Sequence, residues 1–186
     1  NKDEALIKYN HISIWNTSLI TDMSELFLKK KNFNDNINNW DVSNVTNMDS
    51  IFFGARKFNQ PLNSWDVSSV TNMRGMFWDC YKFNQPLNSW DTSSVTIMCC
   101  MFQEALSFNQ PLNSWNVSNV KRMDFMFSEA ICFNQPLDKW DVSNVRTMGE
   151  MFQKALKFNQ SLNSWKISRK TSIRLMLYKV PSLNHS

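Results

Sequence analysis

The chain has 186 residues, a net charge of +4 and Gly at only 3 positions. So little Gly excludes collagen-like and glycine-rich calcium-binding repeats, which need it at fixed places. The mild charge permits contact with nucleic acid or membrane without requiring it, and no run of about 18 apolar residues offers a transmembrane helix.

One stretch, FNQPLNSWDVSSVTNMRGMF from Phe58 to Phe77, is written over and over. Trp15, Trp40, Trp65, Trp90, Trp115, Trp140 and Trp165 fall 25 residues apart, without insertion or deletion. Phe33 to Phe158 and Met23 to Met148 keep the same step. A fixed period in this range marks a repeat architecture.

In chain order, no apolar leader pattern opens the sequence. It begins with Asn1 rather than Met, which leaves a removed leader possible. Residues 3–10, DEALIKYN, carry a short helical pattern with Asp3 as its N-cap. Residues 1–11 are therefore expected to form an N-terminal cap over the open end of the array. The first unit, Ile12 to Lys31, is divergent: Leu26 stands in a Met column and Lys30 in an Ala column. Five close copies follow, beginning at Phe33, Phe58, Phe83, Phe108 and Phe133. The last begins at Phe158 and degrades, with Lys166 for Asp or Asn, Lys170 for Val and Ile173 for Met. Polar, atypical end units are what an array needs to stop growing. A single repeat domain is expected over 12–180 and a C-terminal tail over 181–186.

Within one copy, Leu62, Trp65 and Val67 fit the strand pattern of leucine-rich repeats, with Ser64, Asp66 and Ser68 on the opposite face. Val70, Met73, Met76, Phe77, Cys80 and Phe83 then recur every three or four residues, a helical or 3-10 spacing. Ser68 is available as a helix N-cap, with Thr71 as the alternative, and Pro61 blocks helix continuation and leads into the next strand. The expected fold class is an α/β solenoid of leucine-rich-repeat type with about seven 25-residue repeats. Strands sit about 4.8 Å apart and helices about 10 Å. Short parallel strands should therefore line a concave side, and short helices or 3-10 turns a convex one. Asn34, Asn59, Asn84, Asn109, Asn134 and Asn159, one in every FN block, are expected to form a buried ladder to the backbone of neighbouring loops.

The pattern L-x-x-W-x-V-x-x-V-x-x-M-x-x-M-F-x-x-A-x-x-F-N-Q-P resembles the BspA-like surface proteins, and YNHISIWNTSLITDM resembles their usual first repeat. These are leucine-rich-repeat relatives found in mycoplasma lipoproteins, other bacteria, protists and large DNA viruses. The resemblance covers Tyr9 to about Met176. It implies a solenoid with a surface or adhesion role, at the cell surface, outside the cell or on a virion.

The candidate binding residues occupy the polar side of the expected strands: Asp41, Asp66, Asp91, Asn116 and Asp141, and beside them Ser43, Ser68, Ser93, Ser118 and Ser143. Three readings stand open for these columns. They could be an Asp–Ser hydrogen-bond ladder, an acidic recognition surface for a basic or polar partner, or a hard-cation site with few oxygens per ion. The basic residues Lys29, Lys30, Lys31, Arg56, Lys57, Lys121 and Arg122, with a C-terminal group of Lys166, Arg169, Lys170, Arg174 and Lys179, are read as a solvated convex face, with phosphate contact, as nucleic acid or lipid headgroup, as the alternative. Trp78 and Phe125 lie outside the aromatic columns and are the candidates for exposed rings.

Cys80, Cys99, Cys100 and Cys132 fit no zinc spacing. They are read as reduced thiols, with a Cys80–Cys100 disulfide as the alternative. A 25-residue unit is too short for a propeller blade. His11 and His185 are the only histidines and lie at opposite ends, and no nucleophile elbow or phosphate loop occurs. The sequence thus points to a non-catalytic recognition or adhesion module. It would be a monomer without cofactor or metal, binding a protein or glycan rather than nucleic acid through the concave face. The alternative is a structural component of a virion or cell-surface layer.

Overall fold

The 25-residue period translates into bonds between units, as seen in a computed structural model that describes residues 10–181. The third unit shows how. The Trp65 N–H donates to the Leu62 carbonyl at 3.1 Å, Val70 to Val67 at 2.9 Å, Met76 to Met73 at 3.3 Å and Cys80 to Phe77 at 3.1 Å. Each bond closes a tight turn of four residues. The apolar residues are therefore the ends of successive turns, and all of these are buried.

Alternate N–H groups leave the unit. Those of Met73, Gly75, Phe77 and Asp79 donate to the carbonyls of Ile97, Cys99, Met101 and Gln103 in the next unit, at 2.8–3.0 Å. On the other side, the Thr71 N–H donates to the Thr46 carbonyl at 2.9 Å. The same rows recur along the chain and produce six isolated parallel bridges, from Asp22↔Asn47 to Thr147↔Ser172.

This arrangement overturns the expected α/β solenoid of leucine-rich-repeat type. Among the described residues there is no α-helix and no strand, so neither a parallel sheet nor a helical layer exists. The one regular element is a 3-10 turn, Ile12–Ile14, capped by the His11 side chain. Left-handed residues explain the missing helices. Gly75 and Asp79 have φ of 56° and 58°, and the pair recurs in each unit, as at Cys100 and Glu104 or Glu150 and Lys154. A helix cannot pass through a left-handed residue, and an N–H that bonds the next unit is lost to the carbonyl four residues back. Spacings of three and four fit a helix or a 3-10 run, but a series of separate tight turns, each closed by a bond three residues back, produces them too. Ser68 is no helix cap: its N–H donates to the Asp66 carboxylate at 3.0 Å. The expected strand fails because turns close at Leu62–Trp65 and Val67–Val70, and the one bridged position of the unit, Asn72, lies beyond them.

The core is aromatic. Phe27, Phe52, Phe77, Phe102, Phe127 and Phe152 stack on one another with ring centroids 5.5–5.7 Å apart. A second column, Phe33 to Phe158, runs beside them. Such contacts add about 0.5–1.5 kcal/mol each beyond area burial. The Trp column must also satisfy a buried N–H. Trp90 Nε1 donates to the Leu62 carbonyl at 3.0 Å, and Trp65, Trp115, Trp140 and Trp165 each bond the corresponding carbonyl 28 residues back. Cys80 fills the small slot held elsewhere by Ala55, Ala105, Ala130 and Ala155, all fully buried. The four cysteines are free thiols.

The Asn ladder forms, but it is exposed or half-buried rather than buried as expected. Asn59 Oδ1 accepts the Asn84 N–H at 2.9 Å and Asn84 Oδ1 accepts the Asn109 N–H at 3.0 Å, with Gln85 and Gln110 joining through Nε2. The expected helical cap lies outside the described residues over 1–9, as does the tail over 182–186.

Candidate functional site

Asp41, Asp66, Asp91, Asn116 and Asp141 recur at one place in five consecutive units, and all are exposed. Each follows a buried Trp and precedes a buried Val or Thr, so the side chain has only solvent to enter. A short acceptor two residues before a free N–H closes an Asx turn. Asp41 Oδ1 accepts the Ser43 N–H at 3.0 Å and its hydroxyl at 2.7 Å. Asp66 accepts from the Ser68 N–H at 3.0 Å, Asp91 from Ser93 at 2.9 Å and Asp141 from Ser143 at 3.0 Å. Asn116 does the same with Ser118, N–H at 3.1 Å and hydroxyl at 2.8 Å.

The Asp–Ser bonds of the ladder reading are present, each within its own unit, and among the described residues no Asp–Ser bond joins one unit of this row to the next. The row is a series of separate turns. Neighbouring turns are held in register by the backbone instead. Asn119 Nδ2 bonds the Ser93 carbonyl at 2.8 Å, Asn144 bonds the Ser118 carbonyl at 2.9 Å, and the Thr92 hydroxyl bonds the Asn116 carbonyl at 2.9 Å.

The serine hydroxyl and then its N–H stabilise the carboxylate form, holding Asp41, Asp91 and Asp141 below the ordinary value of 3.8. Asp141 is lowered further by Lys166, which ends the same column. Exposed, ionised and oriented by one oxygen, these carboxylates can accept hydrogen bonds and attract cations. Among the described residues no three His, Cys, Asp or Glu side chains converge as they would around a metal ion. With no strand layer, the ten residues do not line a strand-built face, and position alone defines their row.

A second surface was only partly foreseen. Trp78 is half-buried, stacked on Phe53 at 4.3 Å, and points its indole N–H at Glu104 at 3.4 Å. Arg56 lies over the Tyr81 ring at 4.7 Å and pairs with Asp79 at 3.0 Å. Phe125 is half-buried at a left-handed position. The signal for the cluster was present in the sequence: Phe53 and Trp78 stand where other units carry Gln103, Ser128 and Gln153.

Fold and surface together define a class: an array of 25-residue, turn-built units with an aromatic core and a repeated polar exterior. The model of the family described as "Mycoplasma protein of unknown function, DUF285" matches the chain twice, over residues 2–98 and 83–186. The chain belongs to that family. No curated protein and no solved structure matches it. Among the described residues no helix is long and apolar enough to cross a membrane.

Proposed function

We propose that this protein is a non-catalytic recognition module that binds a protein or glycan through the Asp and Ser columns. One observation carries the reading: an exposed acid or amide recurs at the same position in five consecutive units, oriented by the same turn. A row of fixed, like-charged acceptors suits a cationic or hydroxyl-rich partner, giving it register and a salt-dependent on-rate. The resemblance to BspA-like surface proteins supports the same reading and favours a place at a cell surface, outside the cell or on a virion.

The test replaces Asp66 and Asp91 with Asn. Asn116 shows that Asn closes the same turn, so melting should be unchanged while two charges are lost. Binding is measured to a lysine-rich peptide and on a glycan array, over a range of ionic strength. A weaker affinity with a shallower salt dependence supports the reading. A double variant that binds as the parent does at every ionic strength removes the acidic column as the recognition surface.

A further inference from the structure

The Asp row leaves unused a surface of opposite charge, built by turns of the first three units. Phe53 and Trp78 are half-buried and stacked face to face, with Lys29 Nζ 5.9 Å from the centroid of the Phe53 ring. Tyr81 is half-buried beneath the Arg56 guanidinium. Lys31, Lys57 and Lys82 are exposed on the same turns, and the Lys57 N–H donates to the Lys31 carbonyl at 3.1 Å, which joins the segments that carry those two lysines. The nearby carboxylates are engaged already: Asp79 by Arg56 and Glu104 by the Trp78 indole. The fourth to sixth units carry Gln103, Ser128 and Gln153 in the column of Phe53 and Trp78, and Leu106, Ile131 and Leu156 in the column of Arg56 and Tyr81. The stack does not require aromatic rings or an arginine at these places.

We propose that this patch, with Phe53, Trp78 and Tyr81 at its centre and lysines at its rim, is a docking surface for an acidic polypeptide segment. Trp, Tyr and Arg at the centre of a patch, ringed by polar groups, is the composition that concentrates binding energy in protein interfaces. Among the described residues Lys31, Lys57 and Lys82 make no ion pair, and they fix the sign of the partner by charge complementarity. Nucleic acid fits less well, because base stacking needs free ring faces. Here Phe53 is covered by Trp78 and Lys29, and Tyr81 by Arg56. The surface is separate from the Asp row and takes a partner of the opposite charge, so failure of one proposal leaves the other standing.

The experiment measures anisotropy of a labelled glutamate-rich peptide against the full chain. A single-stranded oligonucleotide and phosphatidylserine vesicles serve as rival ligands. Trp78→Gln and Tyr81→Leu install residues that the fourth unit carries at the same places, Gln103 and Leu106, so the fold should survive. Lys57→Gln with Lys82→Gln tests the rim without touching a ring. The peptide should bind the parent. Trp78→Gln should weaken it by about tenfold, the scale of one interface anchor, and the lysine pair should weaken it and flatten its salt dependence. Lys166→Gln with Arg169→Gln, at the far end of the array, should change nothing. The proposal is overturned if the parent ignores the peptide or if the oligonucleotide or vesicles bind more tightly. It is also overturned if the far-end variant loses as much as the lysine pair, or if the lysine pair binds as the parent does.

Discussion

Replacing Glu25 with Gly is expected to stabilise the protein by about 0.5–1 kcal/mol. Glu25 is exposed, has φ of 57°, and donates its N–H to the Asp49 carbonyl at 2.8 Å. Gly keeps that bond and removes the Cβ, whose crowding in a left-handed conformation costs about 1–2 kcal/mol. Against this stands the larger freedom that Gly loses on folding, about 0.5–1 kcal/mol. In a helix the same substitution would destabilise by about 1 kcal/mol, so the sign separates the two local structures. Gly75→Ala supplies the converse. Its φ is 56° and an added Cβ would lie 3.2 Å from Ser50 Oγ, so it should cost about 1–2 kcal/mol. Urea unfolding followed by tryptophan fluorescence reads both, and the Glu25→Gly melting point should rise by about 1–4 °C for a chain of this size. A loss of about 1 kcal/mol for Glu25→Gly together with a gain for Gly75→Ala would refute the reasoning.

Trp90→Ala should destabilise by about 3–5 kcal/mol, because it empties a core site and strips the Leu62 carbonyl of its donor; urea unfolding checks it. Acid should destabilise the protein through its Asx turns. Folded-state values of Asp41, Asp91 and Asp141 lie below the ordinary 3.8, so their contribution is full above that value and is lost as pH falls through the folded ones. Asp41→Asn, scanned by melting point against pH, should keep neutral-pH stability and lose part of the acid dependence. Burial pushes the Cys99 and Cys100 thiols up to about 11, so at pH 8 alkylation of either should be slow and should quicken with pH. Mass spectrometry of iodoacetamide-treated protein reads this, and Cys80, fully buried, should react only after denaturation.

How far the sequence could be read depends on which property a residue type constrains. Period, core membership and the Asn ladder were open to reading because each needs one side chain repeated at one place, as with Trp65, Trp90 and Trp115. The local backbone was not. Met73, Met76, Phe77 and Cys80 carry a helical spacing, and the left-handed positions between them hold Glu, Lys, Cys, Phe or Leu in more units than they hold the turn residues Gly, Asp or Ser, so no recurring turn residue announces them. The inter-unit bonds at Gly75 and Asp79 outweigh that local cost. At the candidate site, exposure of the Asp residues followed from the Trp-x-Val alternation. That the Asp–Ser bonds close Asx turns within each unit did not, because Asp-x-Ser fits a bond within or between units until the register is known. The Phe53–Trp78 stack was half visible: Trp78 stood out, but nothing in sequence placed Arg56 over Tyr81.

The central structural claim is that alternate N–H groups bond the next unit, which is what lines up Asp66 with Asp91. Scalar coupling across hydrogen bonds, measured by NMR on labelled protein, tests it most directly. The Phe77 amide nitrogen should couple to the carbonyl carbon of Met101, its acceptor at 2.8 Å. Coupling of the Phe77 amide to the Met73 carbonyl, four residues back, would show a helix and contradict the account.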